Sequence, residues 1–144
     1  MSDLDEAKIA VRAAKLTGLP VVGCMVYDSG KNKDRTMNGT TPEQAAAGLI
    51  DAGADVIGAN CGQGIAGFIP ICQRLRAVTT LPLWMKANAG LPEMENGRIV
   101  YRTSPAQFAE SIPALIAAGA NFVGGCCGTS PAYLEAVVAR LRKG

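Results

Sequence analysis

Apolar positions recur along the chain with the spacing of helices in some segments and as short continuous runs in others. Phe68, Ile71, Cys72 and Leu75 follow the i, i+3, i+4, i+7 pattern that lines one face of a helix, and Leu134, Val137, Val138 and Leu141 repeat it. Phe108, Ile112, Leu115 and Ile116 form a similar stripe, as do Ala46, Leu49 and Ile50. A first helix over residues 3–16 puts Ile9, Ala13 and Leu16 on its apolar face. Helix starts are punctuated. Thr41-Pro42-Glu43-Gln44 and Ser104-Pro105-Ala106-Gln107 each supply a capping hydroxyl, a proline at the first helical position and a Gln at the third. Ser130-Pro131 carries the first half of that signal. Between the helices lie four apolar runs, 20–26, 55–59, 82–87 and 121–125. Each is too short for a helix and closes on a turn containing Gly or Asn, which predicts strands.

Five helices alternating with four strands predict an α/β fold built of parallel βα units. An internal repeat refines this. Residues 52–62 (Ala-Gly-Ala-Asp-Val-Ile-Gly-Ala-Asn-Cys-Gly) match residues 118–128 (Ala-Gly-Ala-Asn-Phe-Val-Gly-Gly-Cys-Cys-Gly), two βα units later. The other two strands share a leading Leu-Pro, at Leu19-Pro20 and Leu81-Pro82. The order therefore reads A-B-A-B, and alternate strands of a (β/α)8 barrel send side chains into the same interior layer. Four βα units make half of such a TIM barrel, which in full needs roughly 200 residues or more. The 144 residues are read as a single domain, a half-barrel whose open sheet edges call for a cover. The natural covers are a complementary N-terminal half-barrel or a second copy in a homodimer.

Composition narrows the function. Lys plus Arg is 14 against 12 for Asp plus Glu, a net charge of +2, without the basic patch of a nucleic-acid binder. No apolar stretch approaches a membrane span, and the acidic start Met-Ser-Asp-Leu-Asp-Glu is not a secretion signal. Five cysteines in such a chain point to a reducing, cytoplasmic setting, where clustered thiols are more often metal ligands or catalytic groups than disulfides. The chain has no histidine, so a metal site here must draw on sulfur, carboxylate or amide ligands.

Active-site groups in parallel α/β folds gather at the C-terminal strand ends. Cys61, Cys126 and Cys127 fall there, whereas Cys24 lies within a strand and Cys72 on an apolar helix face, as small core residues do. The three strand-end thiols could also be buried core groups, or Cys126 and Cys127 a vicinal disulfide. Their position, the repeat and the surrounding Gly62, Gly64, Gly124, Gly125 and Gly128 favour zinc. Adjacent residues of a regular strand face opposite ways, so Cys126 and Cys127 need the bend that glycines allow. Three thiolates leave a fourth zinc position open, the mark of a catalytic rather than a structural site.

These residues carry a resemblance. Gly58-Ala59-Asn60-Cys61 followed by Gly124-Gly125-Cys126-Cys127-Gly128-Thr129 resembles the homocysteine S-methyltransferase domain, and Asn88-Ala89-Gly90-Leu91-Pro92 is most similar to its cobalamin-dependent methionine synthase branch. The likeness covers the C-terminal half of the family's barrel. It implies Zn2+ held by Cys61, Cys126 and Cys127, with homocysteine sulfur in the fourth place. It also implies methyl transfer in methionine biosynthesis from methylcobalamin or, in other branches, betaine or S-methylmethionine. The segment Lys86-Ala87-Asn88 departs from the pattern, with Ala where relatives often have Pro and Lys in the place before it. The alternative is a non-catalytic zinc-binding half-barrel that serves as a subunit of a multi-chain methyltransferase.

Further groups stand near the cysteines. Asn60 and Asn88 end strands and could bind the substrate's amino or carboxylate group, or simply shape the turns. Backbone N–H groups around Gly124 and Gly125 could cradle a carboxylate. Thr129 and Ser130 precede a helix and could meet an anion, although Ser130 is first a cap. Two polar segments, 28–39 and 93–102, follow strands and read as loops over the active face, as lids or as docking surfaces for a corrinoid protein or methyl-donor subunit.

Overall fold

A computed structural model describes residues 1–142. Four strands, β1 (Val22–Met25), β2 (Val56–Cys61), β3 (Leu83–Ala87) and β6 (Phe122–Gly125), form one parallel sheet in the order β1-β2-β3-β6. Sequential order with parallel pairing and the usual right-handed crossover puts all helices on one side. These are α1 (Leu4–Lys15), α2 (Pro42–Asp51), α3 (Phe68–Val78), α4 (Pro105–Glu110), α5 (Ile112–Ala117) and α6 (Pro131–Leu141). The expected half-barrel architecture is present. Met1 lies along the outer edge of β1, where its carbonyl accepts from Val26 N at 2.8 Å.

The period of two in the strands divides the sheet into unlike faces. Met25, Ile57, Leu83 and Met85 point to the helices and are fully buried. They pack with Leu49, Leu75, Phe108, Ile112 and Leu115 into one core. The other face carries Val22, Cys24, Asn60, Trp84, Lys86 and Phe122, and nothing covers it among the described residues. Phe122 is 49% exposed there and Val22 38%. Cys24 therefore sits half-buried on the open face rather than in the core, while Cys72 is fully buried.

The helix starts form as their sequences dictate. Thr41 with Gln44 and Ser104 with Gln107 make complete capping boxes. Ser130 occupies the cap position of α6 without a side-chain cap bond. Three expectations need correction. Helix α1 buries Ala7 and Val11, and Ile9, Ala13 and Leu16 face outward. The stripe from Phe108 to Ile116 is broken at Ser111, because Pro113 lacks an N–H and its ring crowds the preceding turn. The stripe of α6 is only partly inward: Val137 is buried, but Leu134, Val138 and Leu141 remain about half exposed beside the uncovered edge of β6.

The two polar segments are also more ordered than loops. Residues 93–102 form most of an antiparallel hairpin, β4 (Pro92–Glu95) and β5 (Arg98–Tyr101). Asn96 and Gly97 turn it with φ of 50° and 75°, the left-handed pair that a tight two-residue hairpin needs. Segment 28–39 is pinned by Arg74, which pairs with Asp34 and bonds Glu43 at 2.6 Å, and by Thr36, which is fully buried. The Arg74 guanidinium holds the Glu43 carboxyl down at about 2.

Candidate metal centre

Each thiol reaches the site by a local backbone device. Strand β2 ends in Cys61, whose φ is 62°, and Gly62 follows at 69°. Two left-handed residues in succession swing Cys61 out of the strand's alternation. Strand β6 stops at Gly125. Cys126 extends its ladder by one bond, N–H to the Ala87 carbonyl at 2.9 Å, and the chain then turns through Cys127 and Gly128. Cys126 and Cys127 thus lie in a turn, where neighbours need not point to opposite faces.

The three sulfurs converge. Cys61 Sγ and Cys126 Sγ are 3.2 Å apart, Cys126 Sγ and Cys127 Sγ 3.9 Å, and all three lie within 4.8 Å of one another. Tetrahedral zinc with Zn–S near 2.3 Å separates its sulfurs by about 3.8 Å. The observed spacings bracket that value, and soft thiolates suit the ion. The donor set therefore fits a three-cysteine zinc site.

Without a cation the thiols differ in how readily they ionise. Burial, then the hydrogen bond with Cys126, pushes the Cys61 thiol up to about 11. Burial also opposes ionisation of Cys126, but hydrogen bonds from the Cys61 thiol and from nearby backbone N–H groups outweigh it and hold Cys126 below its ordinary value. One sulfur is thus the preferred site of negative charge. A divalent cation reverses the balance for its ligands, since coordinated thiols are deprotonated outright.

A layer of polar contacts fixes the two cysteine turns. Asn88 is buried and spends both ends of its amide: Nδ2 donates to Gly62 O at 3.0 Å, and Oδ1 accepts from Cys127 N at 3.0 Å. It clamps the β2 turn to the β6 turn. Asn60 is half-buried on the open face and donates to Cys61 Sγ at 3.3 Å. Thr129 donates to Cys126 O at 2.7 Å, and its side chain fills the space where a Cβ on Gly125 would stand. Gly124 faces the open side, against Trp84 and Lys86. The hairpin closes one flank, with the Tyr101 ring packed where a Cβ on Gly128 would be. Sequence reasoning missed the clamp and the hairpin, although Asn96-Gly97 was a turn signal for the second.

Residues 1–141 match the homocysteine S-methyltransferase family. The chain belongs to that family. It is 34% identical over 100 residues to methionine synthase of Mycobacterium leprae, covering 69% of this chain and 8% of that protein. It is 28% identical over 158 aligned positions to betaine–homocysteine S-methyltransferase 1 of Danio rerio, covering 96% of this chain and 38% of the relative. The crystal structure of a homocysteine methyltransferase from Escherichia coli, metallated form, superposes with a TM-score of 0.75 at 24% identity, over 97% of this chain and 42% of that one. The chain thus spans less than half the length of these relatives.

In this homocysteine S-methyltransferase family member, Cys61, Cys126 and Cys127 come together at one rim of the sheet, with Asn60 and Asn88 touching them. A groove of about 710 Å³ runs from Gly125 and Thr129 along α6 to Leu134 and Val138. It lies beside the thiols rather than over them and belongs to the open edge of β6. Among the described residues no helix is long and apolar enough to cross a membrane.

Proposed function

We propose that this chain carries the zinc site of a methyltransferase acting on the thiol of homocysteine and yielding methionine. The observation that carries the reading is the convergence of three sulfurs, all within 4.8 Å of one another, on the C-terminal rim of a parallel sheet. Cys61, Cys126 and Cys127 hold the ion. When bound, it would favour the thiolate form of an incoming thiol at an open fourth position, and the thiolate is the nucleophilic form. In the transfer a sulfur–carbon bond forms as the donor–methyl bond breaks, and the thiol proton leaves to solvent. Asn88 keeps the two turns in register, so the sulfurs stay where three ligands can act together. Asn60, next to Cys61 and facing the open side, is the side chain best placed to meet the substrate's polar end, with Gly124 and Gly125 leaving room beside it. The methyl donor is methylcobalamin or another small methyl carrier. The likeness to methionine synthase supports the first, delivered by a corrinoid-bearing partner. A cluster of cysteines that serves as metal ligands fits a reducing compartment such as the cytoplasm.

The test is X-ray absorption at the zinc edge of the metal-loaded chain. Three sulfurs around zinc should become four on adding homocysteine and remain three on adding homoserine, which has a hydroxyl in place of the thiol. An unchanged sulfur count with homocysteine would contradict the reading.

The uncovered sheet face favours a second reading, in which the chain holds zinc but needs a completing partner for chemistry. Methyl transfer by the chain alone would exclude it.

A further inference from the structure

One cavity lies apart from the thiols, behind the turn that carries Cys61. It measures about 250 Å³ and sits between segment 28–39 and the start of α3, on the helix side of β2. Ala59, Phe68 and Ile71, all buried, form its apolar floor. Tyr27, 5% exposed, forms part of the wall, and its hydroxyl is buried without a hydrogen-bond partner. Burial pushes the Tyr27 phenol well above its ordinary value, so it stays protonated and acts as a donor.

The rim of the cavity carries both signs of charge. Lys33 lines it. Among the described residues Lys33 pairs with no carboxylate, unlike Lys8, Arg12, Lys15, Arg74 and Arg102. Asp34 lines it too, half-buried. Arg74 holds its Oδ2, while its Oδ1 takes no hydrogen bond among the described residues. The cavity thus offers a cation, a phenol donor, a carboxylate oxygen and an apolar floor. A simple anion would use only the first two, and a neutral apolar molecule only the last. An α-amino acid with an apolar side chain uses all four. Its carboxylate meets Lys33 and Tyr27, its ammonium meets Asp34, and its side chain lies on the floor. That ligand also supplies the buried hydroxyl with the partner it lacks, and an unmade buried hydrogen bond is costly. The volume falls below the ~300–1,000 Å³ of sites for drug-sized molecules, which suits a small amino acid.

We propose that this cavity is a binding site for a small α-amino acid with an apolar side chain. Methionine, the product under the proposed function, belongs to that class; naming it rests on that reading, whereas the class rests on the cavity alone. The site is close to the metal turn but separate from it. None of the three thiols lines the cavity. The Phe68 ring on its floor also stands 3.0 Å from where a Cβ on Gly62 would be, and Gly62 follows Cys61. A bound amino acid therefore lies one ring away from the Cys61 turn.

The experiment titrates L-methionine into the zinc-loaded chain and follows the backbone amide signals by NMR. The amides of Tyr27, Lys33 and Ile71 should shift together, with a Kd of about 1 mM or tighter. N-acetylmethionine, which lacks the ammonium, and methionine methyl ester, which lacks the carboxylate, should each bind at least about tenfold more weakly, since each leaves a charged partner unmet. Tyr27→Phe should be as stable as wild type in thermal unfolding, because its hydroxyl has no bond to lose, yet bind methionine about fivefold more weakly. Lys33→Met, at an exposed position, should weaken it by a similar factor. L-Leucine is titrated alongside, and binding of leucine without methionine would sustain the site while removing the product from it. Zinc content and the sulfur count with homocysteine are read on the same samples, so a missing amino-acid site beside an intact metal site overturns this inference alone. No shift with either amino acid, equal binding of N-acetylmethionine, or full affinity in Tyr27→Phe would overturn the proposal.

Discussion

The two copies of the internal repeat share a scaffold and diverge at their tips. At the base, Gly53 and Gly119 both take left-handed backbone, with φ of 95° and 109°. Two residues on, the matched position caps the neighbouring strand in both copies: Asp55 accepts from Val21 N at 2.6 Å, and Asn121 accepts from Leu83 N at 2.9 Å. Each also meets a cation from the helix that leads into that neighbouring strand, Lys15 of α1 in the first copy and Arg76 of α3 in the second. The copies part after the strands. β2 lies inside the sheet and runs on to Cys61, whereas β6, at the edge, stops at Gly125 before two cysteines. Asn60 of the first copy matches Cys126 of the second, and Cys61 matches Cys127. A shared frame thus brings two strand ends together, and the difference at one position supplies the third sulfur.

The largest break in this comparison is at that third sulfur. Cys126→Ser should drop bound zinc from about one per chain to almost none with little change in circular dichroism. Retention of tight zinc by that variant would remove Cys126 from the ligand set. The tie between the copies comes next. Asn88→Ala leaves Gly62 O and Cys127 N without a buried partner, so it should cost about 2–4 kcal/mol in denaturant unfolding. It should also weaken zinc by roughly 10–100-fold, as loss of a group supporting the ligands does. An unfolding midpoint equal to wild type would show that the two turns hold their places without the clamp.

The bases of the repeat provide a smaller contrast, read through pH. Asn121→Ala should cost about 1 kcal/mol at every pH from 2 to 8, because an amide does not titrate in that range. Asp55 differs. Hydrogen bonds from Lys15 and from the Val21 backbone N–H hold its carboxyl below the ordinary 3.8. A depressed carboxyl stabilises the fold above its unfolded value and loses that contribution as pH falls through the folded one. The penalty of Asp55→Ala should therefore be full at neutral pH and shrink below pH 3.8. Parallel pH profiles for the two variants would contradict this. The smallest effect lies at the helix starts. Thr41→Ala breaks a complete capping box and should cost about 1 kcal/mol, while Ser130→Ala, at a cap with no side-chain bond, should stay within about 0.5 kcal/mol in thermal unfolding.

Much of this was legible in the chain itself. Strands and helices announced themselves because capping boxes and apolar runs are local signals. The convergence of Cys61 with Cys126 and Cys127 followed from the repeat, since alternate strands of a barrel share a layer. The failures were also physical. Helix α1 has apolar residues on both sides, and periodicity could not decide that Ala7 and Val11, not Ile9 and Leu16, meet the core. Pro113 splits a stripe that reads as continuous when only apolar positions are counted. The Asn96-Gly97 turn is flanked by the charged Glu93, Glu95, Arg98 and Arg102, so the segment reads as a polar loop although it forms a hairpin. Asn88 was placed near the site but its clamp was not foreseen, because its partners are backbone atoms of two turns distant in sequence.

The most direct measurement is zinc per chain, by elemental analysis of protein purified under reducing conditions, together with a count of thiols that react in the folded state. The account predicts about one zinc per chain, with Cys61, Cys126 and Cys127 unreactive until a chelator removes the metal. Folded protein without zinc, whose three strand-end thiols react freely and take up no added metal, would contradict it.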